Sequence, residues 1–154
     1  MSLYLLALLI GIVAGLRTMM APAAVSWGAF TGWVSVGGTW AAFMGHWIAV
    51  AVFTVAAVAE LVADQLPSTP SRKVPQQFGA RIVSGALSGA VIGATAGLTI
   101  GGLVAGVVGA VLGTYGGAEV RSRMAAAFGQ DRPAALIEDA VAILGAILII
   151  GAVA

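Results

Sequence analysis

The chain has 154 residues, 60% of them hydrophobic and 8% charged, with a formal net charge of +1 and a mean hydropathy of +1.06. A soluble domain carries about 25% charged residues, so this composition predicts an integral membrane protein with little mass outside the bilayer, and the near-neutral balance gives no footprint for nucleic acid. Zero cysteines exclude disulfides, thiolate chemistry and Cys-ligated zinc or iron–sulfur, and the single histidine, His46, excludes multi-His metal sites and haem held by two histidines within one subunit.

No basic residue precedes the first apolar run, and the first charge is Arg17, so the run reads as a retained span rather than a cleaved signal peptide. It covers residues 3–26 and contains GLRT (15–18) and MMAPAA (19–24). Pro22 lacks the N–H that would bond the Thr18 carbonyl, so this first helix is expected to kink or end there. Arg17 lies roughly 20 Å along the span, near or past the bilayer middle. Residues 27–40 carry Trp27, Phe30, Trp33 and Trp40 without a charge, which suits an interfacial aromatic belt. The second span, 40–66, has His46 near its start, read as an interfacial or packing residue. Glu60 and Asp64 lie near its end, one turn apart on one face, and Pro67 stops it. The connection 67–78 is rich in Pro and Ser and holds Arg72 and Lys73, with Arg81 just beyond.

Glycine then recurs at a four-residue step, at Gly85, Gly89, Gly93 and Gly97, then at Gly102 and Gly106, and again at Gly109 and Gly113, with no charge between Arg81 and Glu119. A step of four stacks the glycines on one helical face. In water each would cost a helix roughly 1 kcal/mol relative to Ala, whereas in lipid the helix is enforced and small residues let backbones approach. The expectation is a glycine-zipper hairpin of two spans, 80–98 and 101–118, turning near 98–101. A polar connection, 118–132, carries Glu119, Arg121, Arg123, Asp131 and Arg132, and Pro133 opens a fifth span, 133–153, with Glu138 and Asp139 one turn in. The fold class is therefore all-α: a polytopic bundle of about five transmembrane helices in one domain. Six of the seven Lys and Arg residues fall on, or just beside, the connections that five spans place on the side of the N-terminus. The positive-inside bias then predicts a cytoplasmic N-terminus and an external C-terminus. LLIGIVAGL (8–16) faintly resembles LTIGGLVAGV (98–107), as an inverted repeat would.

Charges inside a bilayer are costly and should face one another, a partner or water. Glu60, Asp64, Glu138 and Asp139 enter the membrane at similar depth and are expected to converge. One reading pairs them with Arg81, Arg121, Arg123 and Arg17, including a direct Arg17–Glu60 pair. A second makes them a site for a hard cation, the only metal this sequence suggests, or for a proton relay. A third assigns Arg72, Lys73, Arg121 and Arg123 to anionic lipid headgroups. No triad, phosphate loop or dinucleotide fingerprint is present, so neither an enzyme nor a cofactor is expected.

At GLRT with MMAPAAVSW, at ELVADQLPSTPSR, in the glycine hairpin and at LIEDAVAILG, the whole chain resembles a family of small glycine-rich bacterial inner-membrane proteins known as a domain of unknown function. The resemblance implies a plasma-membrane protein with Arg17, Glu60, Asp64, Arg72, Arg81, Glu138 and Asp139 at motif positions, and implies no activity. Two functions follow from the residues. One is a small transporter or channel for an ion or small solute, walled by Arg17 and the 18–22 break, with Glu60, Asp64, Glu138 and Asp139 as its cytoplasmic gate. The other is a non-transporting scaffold or lipid-binding protein whose charges are internal clips. In either case the partners are membrane lipids and further copies of the chain, a homodimer being favoured because one copy has few walls to enclose a pore.

Overall fold

Helix α1 (Leu3–Leu16) begins at Ser2, whose hydroxyl accepts from the Tyr4 N–H, and stops where Arg17 turns extended at φ -141° and ψ 114°. Helix α2 (Met20–Thr31) starts three residues later and ends on Gly32, left-handed at φ 89°. In the computed structural model, which describes residues 2–63 and 75–153, these are followed by a 3-10 helix (Trp40–Gly45), α3 (Trp47–Ala63), α4 (Pro75–Ala94), α5 (Thr99–Phe128) and α6 (Asp131–Val153). The described residues are all-helical, without a strand. Two helices, α5 and α6, are long and apolar enough to cross a membrane, while α1 and α3 are shorter apolar helices.

The kinked helix expected over 3–26 is instead two helices that run in opposite directions. Pro22 lies inside the first turn of α2, where its missing N–H costs little, and the break falls at Arg17. That α2 doubles back follows from its neighbours. Gly101, at the start of α5, packs on Tyr4, at the start of α1, and Thr99 beside it accepts from Trp40 Nε1 at 3.1 Å. Ser26, far along α2, donates to the Met44 carbonyl at 2.5 Å, so the far end of α2 returns to the level at which α1 began. The first half of α4 lies at Arg17's end of the bundle, where Arg81 donates to the Gly15 carbonyl, and Gly28 and Ile150 meet near the opposite end. The helices therefore alternate in direction, and the start of α1 and the end of α6 share the end remote from Arg17.

Three further expectations change. Gly97, expected among the packing glycines, sits in the turn between α4 and α5 at φ 72°, a left-handed position that favours glycine. The polar segment 118–132 is mostly helix: α5 continues through Arg121 and Arg123 until Gly129 ends it at φ 74°. The stretches 8–16 and 98–107 lie on α1 and α5, which run parallel, Gly11 meeting Gly106 and Gly15 meeting Thr114, so they are not related by inversion. His46 is exposed and caps α3, its Nδ1 accepting from the Ile48 N–H at 3.1 Å while its ring stacks on Trp47.

Small residues fix how α1, α4 and α5 pack. A Cβ on Gly85 would lie 2.6 Å from the Gly106 carbonyl oxygen, and one on Gly89 or Gly93 would strike the Gly102 or Leu98 carbonyl. Gly109 and Gly113 press on Leu8 and Ile12 of α1, and Gly106 is met from both sides, by Gly11 and by Gly85. Elsewhere the surface is apolar: Val55, Val62, Ile100, Leu144 and Leu148 are all more than half exposed.

Candidate functional site

Reversal at Arg17 leaves two helix ends side by side, the C-terminus of α1 and the N-terminus of α2, each with backbone groups that helical bonding cannot satisfy. The chain supplies partners at both ends. Val13's carbonyl accepts from the Arg17 N–H at 2.8 Å, Leu16's from Arg17 Nη1 at 3.1 Å, and Gly15's from Arg81 Nη1 at 2.6 Å. The Thr18 carbonyl, freed because residue 22 is proline, accepts from the Ser84 hydroxyl. On the other helix end, the Thr18 and Met19 N–H groups donate to the two carboxylate oxygens of Glu60, at 3.0 and 3.4 Å. Cations therefore stand at the helix end with negative dipole and an anion at the end with positive dipole, the favourable sense in both cases.

Arg17 is fully buried, at 0% exposure. Its Nη1 donates to Glu138 Oε1 at 2.7 Å and its Nε to Asp139 Oδ1 at 2.5 Å, with Nη2 also paired to Asp139. Adjacent residues on a helix normally point about 100° apart, yet here both carboxylates reach one guanidinium because it ends a helix and fills the space between them. Glu138 is buried too, and the same oxygen faces a second cation: Arg121 Nη1 stands 3.5 Å from Oε1 while Arg121 also grips Asp131 through Nε (3.1 Å) and Nη2 (2.7 Å). Arg123 pairs with Glu119 one turn back at 2.8 Å on an exposed face. The chain Arg17–Glu138–Arg121–Asp131 thus leads from the buried helix break to the surface.

Of the residues singled out from the sequence, Arg17, Thr18, Glu60, Glu138 and Asp139 come together. The expected Arg17–Glu60 pair does not form, because Glu60 is occupied by the two amides and Arg17 by α6. Arg81 is buried against the end of α1, where it donates to the Gly15 carbonyl. Asp64, Arg72 and Lys73 lie outside the described residues. Among the described residues no three His, Asp or Glu side chains are arranged to hold a metal ion. Sequence reasoning missed Ser84; its only signal was its place three residues after Arg81, on the same helical face.

A cleft of about 420 Å³ opens elsewhere, with α2 as its floor and α3 and α6 as its walls. Met20, Leu61 and Ile143 close one end and Trp27, Thr31 and Trp33 the other. Arg17, Glu60, Glu138 and Asp139 are not in its lining. Its two threonines are already engaged: Thr31 donates to the Trp27 carbonyl at 2.9 Å, and Thr54 accepts from Trp27 Nε1 at 2.9 Å. Comparison with protein-family models, curated proteins and solved structures finds no match to this chain.

Proposed function

We propose that this chain is a non-transporting, lipid-facing scaffold of the bacterial plasma membrane, in which the intramembrane charges are a structural lock rather than a conduction path. Membrane residence is supported by α5 and α6, each long and apolar enough to cross, and by broad exposed apolar faces that water would not tolerate. The bacterial inner membrane comes from the resemblance of GLRT, ELVADQLPSTPSR and LIEDAVAILG. Alternating helices favour six crossings of unequal depth over five. The bases Arg121, Arg123 and Arg132 lie at the same end as Arg17, so the positive-inside bias favours that end as cytoplasmic and both termini as external.

The observation that carries the reading is that these buried charges have partners within the protein: Arg17 in Glu138 and Asp139, and Glu60 in the Thr18 and Met19 amides. A guanidinium held on two sides by carboxylates in low dielectric is a clip whose loss is expensive. A transporter is the second reading, and one observation favours it: broken helices whose ends face charged groups line transporter sites, and the Asp139 side chain keeps 13% exposure.

Reconstitution separates the two. Purified protein in liposomes, assayed for proton and divalent-cation flux, should be indistinguishable from empty vesicles, while Glu138→Gln should lower thermal stability by on the order of 2 kcal/mol. Flux that Glu138→Gln abolishes at unchanged stability would establish transport and end the scaffold reading.

A further inference from the structure

We infer that the cleft between α2, α3 and α6 is a binding site for one acyl chain of a phospholipid, taken from the leaflet on the tryptophan side. The inference rests on the membrane reading above. Four features define the occupant. First, the cleft follows α2 from Met20 to Thr31, about 17 Å at 1.5 Å per residue, close to the ~15 Å depth of one leaflet's hydrocarbon. Second, its volume of about 420 Å³ falls within the ~300–1,000 Å³ of pockets that enclose a small molecule or a single chain. Third, the cleft makes no polar demand, since Thr31 and Thr54 are both engaged within the protein, whereas a polar ligand needs convergent polar groups. Fourth, Trp27 and Trp33, each about half exposed at 47% and 51%, stand at one mouth with Trp40 and Trp47 on the neighbouring segments. Indole rings settle at the level of glycerol and headgroup, so the chain enters there and its methyl end stops on Met20, Leu61 and Ile143, below the ionic cluster.

The trough exists because α2 presents Ala23, Ala24 and Gly28 where α3 and α6 present larger walls. Gly28 has no space to give: a Cβ there would lie 2.7 Å from both Ile150 and Val34 side chains. Ala24 is half-buried with room on the cleft side, and it is the position to fill.

The test uses the full chain in nanodiscs containing phosphatidylcholine with a diazirine at the end of one acyl chain. After irradiation, adducts should fall on Met20, Leu61 and Ile143 about tenfold more than on Val62 and Leu144, the occupancy ratio that ~1.4 kcal/mol produces. Val62 and Leu144 are the sequence neighbours of two of those residues, lie at the same depth, and face outward at 62% and 61% exposure. Ala24→Leu should remove the enrichment and leave Val62 and Leu144 labelled as before. The wild-type map decides the matter even if that variant does not fold. Equal labelling at all five positions would mean an ordinary lipid annulus and overturn the site. Enrichment with a diazirine fatty acid but not with the phospholipid would overturn the assigned lipid class. Cross-links between two copies at these residues would give the cleft to a second chain. Absence of label even at Leu144 would overturn membrane embedding, and flux in the liposome assay would leave the cleft map unchanged, so the separate failures are distinguishable.

Discussion

Two halves of this molecule solve helix packing in opposite ways. Across α1, α4 and α5, glycines bring backbone onto backbone, and Gly106 touches both of the other helices at once. Across α2, α3 and α6, Trp27, Leu61, Ile143 and Ile147 hold the helices apart and leave a cleft of about 420 Å³. Lipid tails are as apolar as leucine, so burial gives no driving force between helices in a bilayer, and helix separation is decided by what the facing side chains permit. The first half is held by dispersion over a long contact. The second hangs on a few polar links: Trp27 to Thr54, Ser26 to Met44, and Glu60 to the start of α2. Arg17 stands where the halves join, ending α1 and holding α6.

The comparison breaks most completely at that joint. Arg17→Met should cost about 3–5 kcal/mol, because Glu138 and Asp139 lose their common cation inside the bundle. Unfolding measured in lipid bicelles by steric trapping reads this directly. The triple variant with Glu138→Gln and Asp139→Asn should recover more than half of the loss, since the uncompensated charges, not the missing contacts, are the main cost. Recovery of nothing would mean that Arg17 acts by capping α1 alone.

Next in size is a break confined to the tight half. Gly106→Ala inserts a methyl where the Gly85 carbonyl already stands and should cost about 1–3 kcal/mol, with α2 and α3 left in place. Tryptophan fluorescence checks the second clause, because all four tryptophans lie on α2, α3 or the segment between them. A shifted emission maximum in Gly106→Ala would show that the halves are not separable.

How much of this was legible beforehand depends on how far away the determining partner lies. The all-helical class follows from composition and from the uncharged glycine run. The carbonyl freed by Pro22 was also readable, since proline's missing N–H is a local fact. Its donor, Ser84, comes from 66 residues away, and Glu60 reaches the Thr18 amide across 42. No local pattern announces either. For the same reason the reversal at residues 17–19 was hidden: GLRTMM holds no turn signal after Gly15, and the chain turns there because distant side chains cap both helix ends. The length of α5 is hidden for a different reason. Residues 118–128 are polar, and polarity suggested a connection, yet AEVRSRMAAAF contains no helix breaker before Gly129 and simply carries the helix beyond its apolar part.

The smallest expected effect has the opposite sign, and it distinguishes glycine used for contact from glycine that is merely present. Gly145 lies in the middle of α6 and faces α1, as Gly106 does from α5. A Cβ on Gly145 would find only Val13 Cγ2, at 3.9 Å, an ordinary van der Waals distance. Gly145→Ala therefore adds a contact without a collision and reduces the freedom of the unfolded chain, so it should stabilise by about 0.4–1 kcal/mol. Measured beside Gly106→Ala in the same bicelles, the two identical chemical changes should move stability in opposite directions. If both destabilise, α1 and α6 are packed as closely as α1 and α5, and the division of the molecule into a backbone-sealed half and a propped-open half fails at its boundary.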